Sequence, residues 1–161
     1  MINHQTSFPI RNIGFFLKNC QRRSYKPKGA IINTGDCSNS LFYILSGSVA
    51  VIVEDSDGKE ITLTYLNPRD FVGEMGLFEE NPRSALIRAK TKCELGEISY
   101  TKFFFLSAKH PEFIFAIARQ ISMRLARTSR KACDLAFLDV GGRVASTLID
   151  LCHEPDAQIK T

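Results

Sequence analysis

The feature that most constrains this chain is a switch in hydrophobic period partway along it. From about residue 23 to 99, short apolar runs are broken by turn residues, whereas no Gly or Pro interrupts the stretch after Pro111 until Gly141. Half-buried strands need a period of two, and an amphipathic helix needs one near 3.6. The segment "LFYILSGSVAVIVEDSDGKEITLTYL" shows the first regime. After a Ser-Gly corner, "VAVIV" and "ITLTYL" flank Asp55-Ser56-Asp57-Gly58, a hairpin signal. "SALIRAKT" and "CELGEIS" predict two further strands. Many short strands with Gly-bearing turns predict an antiparallel β jelly roll or barrel.

The second regime follows "SYTKFFFLSAKHP", where Pro111 suits a first helical position. Ile114, Ile117, Ile121, Leu125, Thr128, Ala132, Leu135 and Leu138 step by three or four, a narrow seam rather than a broad core-facing stripe. A helix of about 27 residues is about 40 Å long, more than a small roll needs. The surplus predicts a partner helix and hence a parallel homodimer; the other use is a helix lying along its own barrel. A short helix is expected near the N-terminus, where Ile10, Ile13, Phe16 and Leu17 have helical spacing. Asp139 can cap a last helix with Val140, Val144, Leu148 and Leu151 on one face, its first turn weakened by Gly141-Gly142 into a possible hinge. "HEPDAQIKT" predicts no element. The expected organisation is a β-roll over 1–110, a dimerisation helix over 111–138, and a hinge region over 139–161.

A length of 161 residues predicts one domain, or one domain with a helical appendage. A net charge of +4 is compatible with nucleic acid but too small to argue for it. The five cysteines are scattered without metal or disulfide spacing, which predicts free thiols in a reducing compartment. The N-terminus lacks the apolar core of a secretion signal and no run approaches a membrane span, so a cytoplasmic location is expected. His4, His110 and His153 show no nucleophile or metal spacing, and the expectation is a non-enzyme with no metal.

Residues 73–85, "GEMGLFEENPRSA", carry the chemistry. Gly73 permits close backbone approach, and "EMGLF" can form a helical turn whose free N–H groups face an anion. Ten residues on, Arg83 returns a guanidinium and Ser84 a hydroxyl, both suited to a phosphate. A carboxylate repels phosphate, so Glu74 needs another task; accepting a hydrogen bond from a ribose hydroxyl is one. An ion pair between Glu74 and Arg83 bracing a hairpin is the alternative.

"YILSGSVAV", "DGKEITLTYLNPRDFVGEMGLFEENPRSALIRAKT", "ELGEISYTKF" and "DLAFLDVGGRVASTLIDL" together resemble the catabolite activator (cyclic AMP receptor) proteins, a family of bacterial transcription regulators. The resemblance covers nearly the whole chain, with motif order and separation preserved. It implies cyclic AMP as an allosteric ligand: Gly73 and Glu74 would meet phosphate and ribose 2′-hydroxyl, and Arg83 and Ser84 the cyclic phosphate. It also implies that Arg124 and Thr128 of the same subunit, and Ser129 of the partner, approach the adenine. The loop "EENPRSA" departs from the family pattern by being one residue shorter and carrying Pro82, which bears on where Arg83 sits. The basic run Arg124, Arg127, Arg130 and Lys131 reads as a solvated helix face.

The family reads DNA with a C-terminal helix-turn-helix, and here the resemblance stops at "DAQIKT". The expectation is an excised sensor domain of a longer regulator, with a natural truncation as the alternative, and with DNA bound by the whole protein and not through this chain. A contact with RNA polymerase is implied at Arg23 and Lys102. The other readings are a sensor that has lost its ligand and acts as an interaction dimer, and a regulatory domain tethered to another effector.

Overall fold

The computed structural model describes residues 12–78 and 82–152. Two compact units divide the chain, the first running to Ile117 and the second starting at Ala118.

The first unit is an antiparallel β-roll. Its strands are β1 (Gln21–Tyr25), β2 (Ala30–Ile32), β3 (Ser40–Ser46), β4 (Val49–Glu54), β5 (Glu60–Leu66), β6 (Phe71–Val72), β7 (Leu86–Ala89) and β8 (Cys93–Ser99). They form two four-stranded sheets, ordered β1-β8-β3-β6 and β2-β7-β4-β5. The jelly-roll expectation is met. The β4–β5 hairpin turns where the sequence places it, because Asp55 Oδ1 accepts from the backbone N–H groups of Asp57 and Lys59, at 3.0 and 2.9 Å. Bulges in β4–β5 and β3–β8 shift the register and curve the sheets.

Inward-facing Ile32, Phe42, Ile44, Val49, Leu66, Val72, Ile87 and Leu95 fill the roll. At one side Phe16, from α1 (Ile13–Lys18), is wholly buried against Tyr43, Phe71, Phe103 and Phe113, with ring centroids 5.2–6.4 Å apart. Burying such rings is worth roughly 1.5–3 kcal/mol each, so this cluster fastens the flanking helices to the strands. Ile10, expected on the same helix, lies outside the described residues.

One helix escapes the sequence reading. Residues Tyr100–Lys109, which lie ahead of the predicted helical regime, form α2. Ser99 caps it by accepting from the Lys102 N–H at 3.3 Å, and Tyr100, Phe103, Leu106 and Ser107 form its buried stripe. The signal was present as three-and-four spacing, but the run Phe103-Phe104-Phe105 masks it with strand-like bulk.

The long helix, α3, spans Glu112–Phe137 over 26 residues, with Pro111 just outside and its carbonyl accepting from Phe115. Within the first unit, its residues Phe113 and Ile117 are buried.

In the second unit, the seam residues Leu125 and Leu135 on α3 and Leu138 just after it are exposed. Next comes α4 (Val140–Cys152), capped as expected by Asp139, whose Oδ1 accepts from the Gly142 N–H at 2.8 Å. Val140, Val144 and Leu148 on α4 are exposed, and Ser146 Oγ donates to Asp134 Oδ2 at 2.6 Å, tying α4 to the end of α3. No helix among the described residues is long and apolar enough to cross a membrane. "HEPDAQIKT" lies outside the described residues.

Candidate functional site

The stretch singled out in the sequence leaves β6 at Gly73, enters a single 3-10 turn over Met75–Leu77, and returns to the roll at Arg83. Residues 79–81 of the intervening loop lie outside the described residues.

Gly73 adopts φ +81°, the left-handed region that favours glycine. A Cβ there would stand 2.5 Å from Arg83 Nη1, so its absence is also what lets the guanidinium approach. Gly76 is equally constrained, because a Cβ would lie 2.6 Å from both Ser38 Cβ and the Tyr100 hydroxyl.

Arg83 is only 7% exposed. A buried cation must find acceptors, and it finds them in the backbone and one phenol. Nη1 donates to the Gly73 carbonyl at 3.1 Å and to Tyr100 Oη at 2.8 Å, and Nη2 donates to the Ser40 carbonyl at 2.5 Å. Three of the five guanidinium N–H donors are used by these bonds. The backbone of Arg83 is fixed independently of the shortened loop, since its N–H donates to the Asp36 carbonyl at 2.9 Å and its carbonyl accepts from Gly35 at 2.8 Å. Pro82 is exposed beside it.

Tyr100 is the residue that sequence reasoning missed. Its hydroxyl accepts from Arg83 and donates to the Gly73 carbonyl at 2.5 Å, while the Arg83 guanidinium carbon lies 5.6 Å from its ring centroid. Burial pushes the Tyr100 hydroxyl above its ordinary pKa, and the Arg83 charge opposes that rise. Its role depends on α2, which positions it as the first helical residue, and no local pattern in "EISYTKF" announces the partnership.

Glu74 is buried at 6% exposure and lies close enough to Tyr100 for its carboxylate to favour the neutral phenol. Ser84 is exposed, and its Oγ donates to Met75 Sδ at 3.7 Å. The structure therefore brings Gly73, Glu74, Arg83 and Ser84 together around one turn. Arg124, Thr128 and Ser129 lie on α3, Arg124 half-buried and the other two exposed. Arg124 and Thr128 are four residues apart and share a helix face; Ser129 is offset from them around the helix.

Elsewhere on the roll, Lys18, Arg23, Asn39, Glu97 and Lys102 line an open groove of about 630 Å³. Arg23 pairs there with Glu97 at 2.8 Å. Cys20 lies on the same groove, and burial raises its thiol to about 12, which keeps it protonated and unreactive.

The family model for the cyclic nucleotide-binding domain matches residues 22–110. The cAMP-activated global transcriptional regulator Vfr of Pseudomonas aeruginosa is 49% identical over 152 residues, covering 92% of this chain and 71% of the relative. The cAMP-activated global transcriptional regulator CRP of Salmonella typhimurium is 49% identical over 144 residues, covering 89% and 69%. Among solved structures, the c-di-GMP responsive global regulator CLP of Xanthomonas campestris superposes with a TM-score of 0.84 at 43% identity, covering 91% of this chain and 74% of that one.

Proposed function

Because the chain belongs to the cyclic nucleotide-binding domain family, among the CRP regulators, we propose that it is the cyclic AMP-sensing and dimerisation part of a DNA-binding transcription regulator. The observation that carries this reading is the preformed cradle, in which Gly73, Arg83 and Tyr100 hold one another in a fixed arrangement. An anion site that needs no rearrangement binds at lower entropic cost.

The cyclic phosphate carries one negative charge. We assign it to the remaining Arg83 donors and to the Ser84 hydroxyl, with Gly73 giving room for the sugar-phosphate to approach. A buried carboxylate beside a phosphate is unfavourable unless it accepts a hydrogen bond, and the ribose 2′-hydroxyl offers one to Glu74. We assign the adenine to Arg124 and Thr128 of the same subunit and to Ser129 of the partner. The exposed seam of Leu125, Leu135 and Leu138 is where a second copy would bury its own α3. A ligand shared between the two subunits favours whichever arrangement completes its site, and that differential affinity reorients the segment after Asp139. DNA would be bound by the whole regulator. RNA polymerase would meet the groove holding Arg23 and Lys102.

The similarity to a c-di-GMP responsive regulator favours a second reading of the ligand, with the cyclic dinucleotide taking the same cradle. Competition binding separates the two. Labelled cyclic AMP should bind and be displaced by unlabelled cyclic AMP at lower concentration than by cyclic GMP or cyclic di-GMP. Displacement by cyclic di-GMP first would transfer the assignment, and no binding of any of the three would sink the sensor reading.

A further inference from the structure

The cradle carries a thioether that ligand binding does not use. Met75 opens the 3-10 turn, is 62% exposed, and has its Sδ in contact with Ser84 Oγ at 3.7 Å. We propose that Met75 is a site of reversible oxidation that turns the cradle off, an inference resting on the cyclic AMP reading above. The oxidant is a peroxide. The sulfur lone pair attacks one peroxide oxygen, an S–O bond forms as the O–O bond breaks, and sulfur gives up two electrons. The departing hydroxide collects the proton left on the transferred oxygen and leaves as water.

The consequence follows from what the sulfur already touches. A thioether is a weak acceptor, so the Ser84 hydroxyl exchanges it readily for a phosphate oxygen. A sulfoxide oxygen is polar and accepts strongly, on a side chain already within reach of that hydroxyl. Ser84 is then retained by Met75, and the negative end of the S–O dipole faces the arriving anion. Because Met75 stands clear of the core, the added oxygen displaces no packed neighbour, and the roll keeps its fold. Met123, on α3, is less exposed at 38% and serves as an internal comparison.

The test treats the full chain with hydrogen peroxide, confirms the added oxygen on the Met75 peptide by mass spectrometry, and titrates cyclic AMP. Oxidised protein should bind about 10- to 100-fold more weakly, the span for losing one hydrogen bond to a charged group. Methionine sulfoxide reductases of both epimer specificities should restore the affinity. M75L, which keeps Met123 and all five cysteines, should hold its own affinity through the same treatment. Equal affinity of oxidised and reduced protein overturns this inference and leaves the ligand assignment standing. A loss that M75L shares traces to another residue and overturns it too. No cyclic AMP binding by the reduced protein overturns the ligand reading, and this inference with it.

Discussion

Tyr100→Phe isolates the bonds that hold the cradle in shape. The substitution removes one oxygen and keeps the ring, so the cation–π contact with the Arg83 guanidinium, 5.6 Å from the centroid, survives. The hydrogen bonds lost include the neutral one from Tyr100 to the Gly73 carbonyl and the charge-assisted one from Arg83 to Tyr100. Neutral bonds contribute about 1 kcal/mol net and bonds to a charged group about 1.5–3, so the loss sums to roughly 2.5–4 kcal/mol. Gly73 keeps Arg83 as a donor and Arg83 keeps Ser40 as an acceptor, which places the outcome at the lower end, about 2.5–3 kcal/mol. Urea unfolding at one fixed protein concentration measures it as a lower midpoint with an unchanged slope. The pH dependence adds a second readout. Burial raises the folded-state pKa of Tyr100, so its contribution is complete below about 10, the unfolded value, and is lost as pH rises through the folded value. Tyr100→Phe should therefore shrink the alkaline loss of stability, while Tyr25 and Tyr43, raised in the same sense, still contribute theirs. A destabilisation below about 0.5 kcal/mol would mean that Tyr100 does not brace the cradle, because bonds in a buried network are worth more than that.

Gly73→Ala should abolish cyclic AMP binding and destabilise the roll by at least about 1–2 kcal/mol, since both φ +81° and the 2.5 Å approach of Arg83 oppose a Cβ. Titration and thermal melting check the two effects. Asp139→Ala should cost about 1 kcal/mol through loss of the α4 cap at Gly142, read as faster amide exchange in that helix's first turn. Under a thiol-specific reagent at neutral pH, the exposed Cys37 and Cys152 should react quickly. Cys20, raised to about 12, should react far more slowly.

Much of the roll was legible because strand alternation and turn chemistry agree locally. "VAVIV" and "ITLTYL" pair with each other across Asp55–Gly58, a contact local in sequence. The long helix was legible for the same reason, its observed 26 residues meeting the estimate from the uninterrupted run. What stayed hidden depends on distant partners. Arg83 could be picked out as a cation facing a glycine. Its acceptors, however, come from Ser40 on β3 and Tyr100 on α2, separated from it by 43 and 17 residues. The backbone of Arg83 is likewise held by bonds to Gly35 and Asp36, partners just as remote in sequence. Helix α2 was obscured because three consecutive phenylalanines say nothing about period, and only the burial of Phe103 against Phe16 decides which way the chain turns.

Ser84 gives the cleanest test of whether this cradle binds cyclic AMP. Arg83 is unsuitable alone, since replacing it leaves the Ser40 and Gly73 carbonyls without their donor and weakens the fold as well as any binding. Ser84 is exposed, so Ser84→Ala should leave the unfolding midpoint unchanged. Calorimetric titration of wild-type and Ser84→Ala proteins with cyclic AMP is the direct measurement. The wild type should bind with measurable heat and the variant about 10- to 100-fold more weakly, the worth of one hydrogen bond to a charged phosphate. Equal affinities in two equally stable proteins, or no heat from the wild type at millimolar ligand, would contradict the account.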